Sequence, residues 1–223
     1  MASSKKGVSA NQLHRTLEIT LKSAWFLAHR IREAMRSGDF SPMGGAGGIV
    51  EIDETYIGKR DHLRGRKIDS RGGWHKVPML TLVDRNGSAR SFIVDRTNRD
   101  TILPIIRDNL DAEARVVTDD SSIYHSLDTE YEHAFVVHSK GQWGRGEIHT
   151  NTVEGFYSVF KRGMKGVYQH CQEKHLHRYA AEFDFRYNNR IRLGVDDKER
   201  SVRILEGVAG KRLTYRDSSQ AAA

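Results

Sequence analysis

Residues Ile49–Ile57 read IVEIDETYI. Successive side chains of an extended chain point to opposite faces, so Val50, Ile52 and Glu54 share one side and Glu51, Asp53 and Thr55 the other. The run is predicted to be a strand with one polar, acidic face. Just before it, SPMGGAGG at 41–48 is a breaker cluster that marks a boundary.

Downstream, residues 58–73 carry Lys59, Arg60, Arg64, Arg66, Lys67 and Arg71 with almost nothing apolar, which reads as a basic loop. A positive flap beside an acidic strand suits a phosphodiester substrate, the plainer alternative being a solvated loop. Strand-like runs at 77–83 and 89–94 flank Asn86-Gly87, a strong hairpin signal. Residues 100–110 repeat apolar side chains at helical spacing, with Pro104 expected in the first turn, where its missing N–H costs least. The apolar strand 114–118 runs into Asp119-Asp120. A helix around 121–127 and a buried strand at 134–137 follow.

Residues 147–190 then hold two helices. On the first, Val153, Phe156, Phe160 and Met164 line one side and Glu154, Ser158, Lys161 and Lys165 another. Asn151, three residues ahead of Glu154, is expected to cap it. Three antiparallel strands followed by strands alternating with helices give an α/β chain, a mixed sheet flanked by helices, in the order of the ribonuclease-H-like fold. In that fold the first and fourth strands are neighbours. Asp53 and Asp119 would then meet, and a carboxylate from a later helix would close the group.

Upstream of the boundary, Ser9 and Gln12 cap a short helix at 10–17 and Thr20 caps a longer one. The pair reads as a helix-turn-helix whose second helix carries Lys22, His29, Arg30, Arg32 and Arg36 toward a phosphate backbone. An equal alternative is a helical hairpin packed against the main domain. The expected organisation is a helix-turn-helix-like DNA-binding region at 1–40, a Gly-rich linker at 41–48, a ribonuclease-H-like catalytic domain at 49–193 and a C-terminal extension at 194–223.

Bulk composition narrows the partners. Among 223 residues, 36 Lys and Arg face 29 Asp and Glu, and the net charge of +7 suits a polyanion, above all nucleic acid. No apolar run reaches the ~18 residues of a membrane span, and MASSKKGVSANQ lacks a signal-peptide core. A cytoplasmic, nucleoid-associated protein with no membrane partner is expected. Cys171 stands alone, which excludes an internal disulfide or a cysteine-rich zinc module within this sequence.

Asp53, Asp119 and Glu154 are the candidate metal ligands. Attack on a phosphodiester needs charge neutralised at the attacking oxygen, the leaving oxygen and the phosphoryl group. Two Mg²⁺ ions roughly 3.5–4 Å apart supply it, and hard cations take oxygen ligands. Spacing discriminates little among 29 acidic residues. Position discriminates more: Asp53 is mid-strand on a polar face, Asp119 follows an apolar strand, and Glu154 opens an amphipathic helix. Lys161, on the stripe of Glu154, is a candidate for contacting DNA backbone near the scissile phosphate. His138 and His149 are candidates for phosphate or proton contacts, and Trp143 for stacking on an unpaired base.

The segments GVSANQLHRTLEITLKSAWFLAHRIREAM, VEIDETYIGKR, VVTDDSSIY, HTNTVEGFYSVFKRGMKGVY, KHLHRYAAEFDFRYNNR and GKRLTYR resemble the ISXO-type branch of bacterial insertion-sequence transposases. The resemblance implies a ribonuclease-H-like core with an Asp, Asp, Glu triad. By motif these are Asp53, Asp119 and Glu154, with Lys161 the lysine beyond the glutamate. It further implies DNA recombination with Mg²⁺, or Mn²⁺ in its place. Transposon ends in double-stranded DNA are cut, and the freed 3′-hydroxyl is joined to target DNA by a homodimer or larger assembly. Members usually carry an N-terminal zinc ribbon, which one cysteine does not build here. The competing expectations are a catalytically inactive DNA-binding relative and a ribonuclease-H-like nuclease.

Overall fold

A computed structural model describes residues 1–36, 38, 41–63, 65–67, 73–137, 144 and 146–214. Its centre is a five-stranded sheet of β1 (Ile49–Ile57), β2 (Val77–Asp84), β3 (Ala89–Ile93), β4 (Arg115–Asp119) and β5 (Glu132–Val136), in the order β3-β2-β1-β4-β5. β1, β2 and β3 pair antiparallel, whereas β4 pairs parallel with both β1 and β5. The first and fourth strands are therefore neighbours, as the element order predicts.

Alternation along the strands sorts side chains into two cores. Val50, Ile52, Leu80, Leu82 and Val116 pack under α3 (Arg99–Asn109) through Ile102, Leu103 and Ile106. Ile57, Val77, Met79 and Val83 pack on the opposite face under α4 (Asn151–Gly163) and α5 (Leu176–Asn188). These two helices approach closely at Gly163, where a Cβ would stand 2.4 Å from Phe183. Burying a side chain of this size contributes about 1.5–3 kcal/mol, so the two cores carry the fold.

Two local predictions are corrected. α3 starts at Arg99, capped by the Asn98 side chain, so Pro104 lies in the second turn and not the first. The carbonyl it leaves without a partner is that of Asp100, an exposed residue that water reaches. The helix expected around 121–127 is a 3₁₀ turn, His125–Thr129.

The N-terminal pair forms α1 (Ala10–Leu17) and α2 (Leu21–Met35), with Glu18 taking the left-handed conformation at φ 53° where a glycine is usual. α2 packs on α5. Arg32 Nε donates to Glu182 Oε2 at 2.7 Å with both side chains buried, and Arg186 and the Tyr168 hydroxyl donate to Glu182 Oε1. His29 is buried beside them. Of the five basic residues expected on a phosphate-facing helix, His29 and Arg32 thus belong to the interior, whereas Lys22, Arg30 and Arg36 are exposed. The hairpin docks through the face that carries its most central charge. Residues 41–48 are tied down as well: Met43 is buried and exchanges backbone hydrogen bonds with Asn109 and Asp111. After α5 the chain ends its described part beyond α6 (Asp197–Glu206). Among the described residues no helix is long and apolar enough to cross a membrane.

Candidate active site

β1 and β4 run parallel with Ile49 opposite Arg115, Val50 opposite Val116 and Glu51 opposite Val117. Two residues further along both strands stand Asp53 and Asp119, where the recorded pairing has ended. β4 ends at Asp119 while β1 runs on to Ile57 paired with β2, so the two strands part at the level of these carboxylates. Such a parting between parallel strands is where open α/β sheets take ligands. Alternation puts Asp53 on the face covered by α4, and the Tyr157 hydroxyl of α4 donates to the Asp53 carbonyl.

Glu154 sits in the first turn of α4, on an exposed position. The residue preceding the helix is Thr150, not the expected Asn151, and its side chain makes no capping bond to the backbone. Its hydroxyl donates instead to Glu154 Oε1 at 2.9 Å. The orphan amides of the helix are met from the sheet. Glu51, fully buried on β1, accepts the Thr152 amide at 2.7 Å and the Val153 amide at 2.9 Å on Oε2. Its Oε1 accepts the Thr152 hydroxyl and Arg85 Nε, each at 2.7 Å. A carboxylate on helix N-terminal amides is favoured by unpaired N–H groups and helix dipole alike. Glu51 therefore locks the helix that bears Glu154 onto the strand that bears Asp53. Sequence reasoning placed Glu51 on the right face but gave it no role, because the helix amides it serves lie about a hundred residues away.

Burial pushes the Asp53 carboxyl up to about 7; the charges of Glu54, Asp119 and Glu154 add to this, while the Glu54 amide donating to Oδ1 at 2.8 Å opposes it. The three candidate acids are thus electrostatic neighbours. Glu54 points to the other face, where burial also raises it to about 7 with Asp119 adding. Tyr124 is fully buried beside it without forming a hydrogen bond of normal geometry. Asp119 Oδ1 accepts the Ser121 amide at 3.0 Å, and Asp120 lies past the strand end on an exposed position.

Among the described residues no group of three or more His, Cys, Asp or Glu side chains is close enough to hold a metal ion by itself. The donor set nevertheless suits Mg²⁺. That ion is commonly bound through one or two carboxylates plus substrate phosphates instead of an all-protein cage. Asp53 and Asp119 each meet the donors described here through one oxygen, and a cation would relieve the like-charge crowding at Asp53.

Lys161 is exposed two turns along α4, its ammonium 5.6 Å from the Tyr157 ring centroid. His149 belongs to the Glu51 cluster, with Nδ1 3.2 Å from Glu51 Oε1 and 3.0 Å from an Arg85 guanidinium nitrogen. His138 and Trp143 lie outside the described residues.

A mixed sheet whose central strands part between two aspartates, covered by a helix that carries a glutamate in its first turn, defines an α/β protein with a candidate site of acids. Residues 45–188 match the ISXO2-like transposase domain, and the chain belongs to that family of transposases. It is 28% identical over 172 residues to an uncharacterized protein in transposable element ISH50 of Halobacterium salinarum, a match covering 70% of this chain. The chain spans 56% of that relative's length. A solved structure, that of the Mos1 strand transfer complex, aligns over 93% of this chain and 75% of its own, at 12% identity and a TM-score of 0.29, too low to bear on the fold.

Proposed function

We propose that this chain is a metal-dependent DDE transposase with a ribonuclease-H-like core, which cuts double-stranded DNA at transposon ends and joins the freed 3′-hydroxyl to target DNA. The observation that carries this reading is the register that sets Asp53 and Asp119 level on adjacent parallel strands, on the sheet face covered by α4, which has Glu154 in its first turn. The strand order, with three antiparallel strands and two parallel to the first, supports the fold assignment.

Asp53, Asp119 and Glu154 would hold Mg²⁺ or Mn²⁺, which when bound neutralises phosphoryl charge and activates an oxygen nucleophile for in-line displacement. The rest falls to the chain itself. Asp53 and Asp119 are fixed by a sheet that does not yield, and Asp53 must shed its proton to act as a ligand. Glu51 sets how far Glu154 stands from them. Lys161 neutralises a backbone phosphate as a point charge. Two transposon ends call for a homodimer or higher assembly on DNA, working in the cytoplasm at the nucleoid.

The test is strand transfer of a 3′-hydroxyl oligonucleotide carrying the element's terminal repeat, beside a scrambled end, with Mg²⁺. Joining of the repeat alone, abolished by Glu154→Gln, is expected. Equal reaction of both ends points to a general nuclease. Binding without any reaction, unaltered by that substitution, points to an inactive DNA-binding relative.

A further inference from the structure

Where β1 ends and β2 begins, a groove of about 380 Å³ opens against the C-terminal half of α4. Its walls carry four lysines from separate parts of the chain: Lys59 after β1, Lys76 before β2, and Lys161 and Lys165 from α4 and the turn that follows it. Lys161 and Lys165 are exposed and Lys59 and Lys76 half-buried. The acid described in this lining, Glu173, is engaged elsewhere: it pairs with Arg60 at 3.5 Å and accepts the Asp61 amide at 2.9 Å. The Lys59 ammonium donates to the Arg66 carbonyl at 2.7 Å, so Lys76, Lys161 and Lys165 are the cations this lining offers to a ligand, beside an acid already engaged.

Like charges so gathered repel one another unless an anion joins them. An ammonium on a flexible stem is the group that meets phosphate as a point charge. Lys161 is seven residues past Glu154, roughly 10 Å along the helix axis. That is the axial span of about three phosphates on one strand of B-form DNA, at roughly 3.4 Å each.

We infer that this groove binds the phosphodiester backbone of one DNA strand about three nucleotides from the bond that reacts, with Lys76 and Lys165 extending the contact begun by Lys161. The inference rests on the transposase reading for its ligand and its distance from the acids. The groove itself is independent of any metal.

The test measures DNA affinity over a series of salt concentrations without divalent cations. Lys76→Ala/Lys165→Ala is compared with the wild type and with Arg192→Ala/Lys198→Ala, which removes the same charge from exposed positions on the C-terminal turn and helix. Two lost phosphate contacts lower the slope of log affinity against log salt by about 1.8. The groove variant is expected to show that drop and to bind roughly tenfold more weakly near 0.1 M salt, with unchanged thermal melting, while the control keeps the wild-type slope. Equal slopes for all three proteins would overturn the inference and leave the transposase reading standing. Equal losses in both double variants would overturn it too, since the effect would then be net charge alone. A wild type with no affinity for DNA sinks the transposase reading first. Inorganic phosphate, titrated as competitor up to the same ionic strength, should displace DNA no better than chloride does, because single anions do not span the lysines.

Discussion

Glu51 and Asp53 stand two residues apart on one face of one strand, and they live in opposite electrostatic conditions. Glu51 is fully buried, yet two amides, a hydroxyl and an arginine converge on its two oxygens. Asp53 has one amide at Oδ1 and is surrounded by Glu54, Asp119 and Glu154. A buried charge without compensation is costly, and folding alone would not keep one beside a neighbour so well satisfied. On the proposed transposase reading, the strand therefore has an anchoring end at Glu51 and a reactive end at Asp53. The discomfort at Asp53 is what an incoming cation would relieve.

The contrast breaks most sharply on substitution at the reactive end. Asp53→Asn is expected to lower strand transfer by ~10³-fold or more, while the protein stays at least as resistant to urea as the wild type at pH 8 without divalent cations. Adding Mg²⁺ should raise the melting temperature of the wild type and leave the variant unmoved. A variant that unfolds more readily would show that Asp53 belongs with Glu51 after all.

At the anchoring end the order of effects reverses. Glu51→Ala leaves two helix amides and Arg85 Nε without their acceptor, while another Arg85 nitrogen still donates to the His149 carbonyl. Breaking a buried pair typically costs ~3–5 kcal/mol, and because Arg85 keeps some solvent contact the loss here is expected at about 2–4 kcal/mol by urea denaturation. Activity should fall in step, since α4 no longer holds Glu154 at a fixed distance. Glu51→Gln, which keeps the shape and one acceptor, should recover part of both.

Acidity gives a third separation. The folded-state value at Asp53, about 7, lies above that of an unfolded aspartate, so the folded protein holds a proton that the unfolded chain has lost. The associated stability is complete below pH 4 and disappears as pH rises through 7. Glu54, raised to about 7 mainly by burial, and Asp184, raised to about 7 by burial against the Ser91 hydrogen bonds, act in the same direction. His29, lowered by burial to about 3, His175, lowered by burial to about 4, and His177, lowered by burial, act in the opposite direction over the same window, so the overall profile does not isolate Asp53. The difference between the wild type and Asp53→Asn does: the stability of the wild type relative to the variant should fall from pH 4 to 7 by about a few kcal/mol, and a difference that stays constant with pH would remove Asp53 from the account.

How much of this contrast a sequence discloses depends on distance along the chain. Alternation in IVEIDETYI put Glu51 and Asp53 on one face, and the strand order followed from the succession of elements. Periodicity also placed Glu154 and Lys161 on one stripe of α4. The sequence could not say which acid is satisfied, because that depends on Thr152 and Val153 amides far downstream. The same holds for α2. Arg32 looks like a phosphate contact by composition, and only its pairing with Glu182, 150 residues away, turns it inward. Capping failed for a related reason: Asn151 fits the local pattern, but a tertiary carboxylate already serves the amides it would have met.

The smallest expected effect lies where the two ends touch. Thr150 precedes α4, and its hydroxyl donates to Glu154 Oε1 while the helix amides just beyond are held by Glu51. Thr150→Val keeps the volume and the β-branch and removes this one donor. A hydrogen bond to a charged group contributes about 1.5–3 kcal/mol when buried, but Glu154 is exposed and water replaces the lost donor, so stability should change by no more than ~0.5 kcal/mol. The effect should instead appear in the chemistry. A glutamate released from one orientation samples several rotamers, and strand transfer should fall about three- to tenfold at saturating DNA, with affinity for the DNA unchanged. Restoration by Thr150→Ser, which returns the hydroxyl without the methyl, would assign the loss to the orientation of Glu154. If serine fails where threonine succeeds, the methyl matters instead, and the Thr150 side chain belongs to the anchoring end.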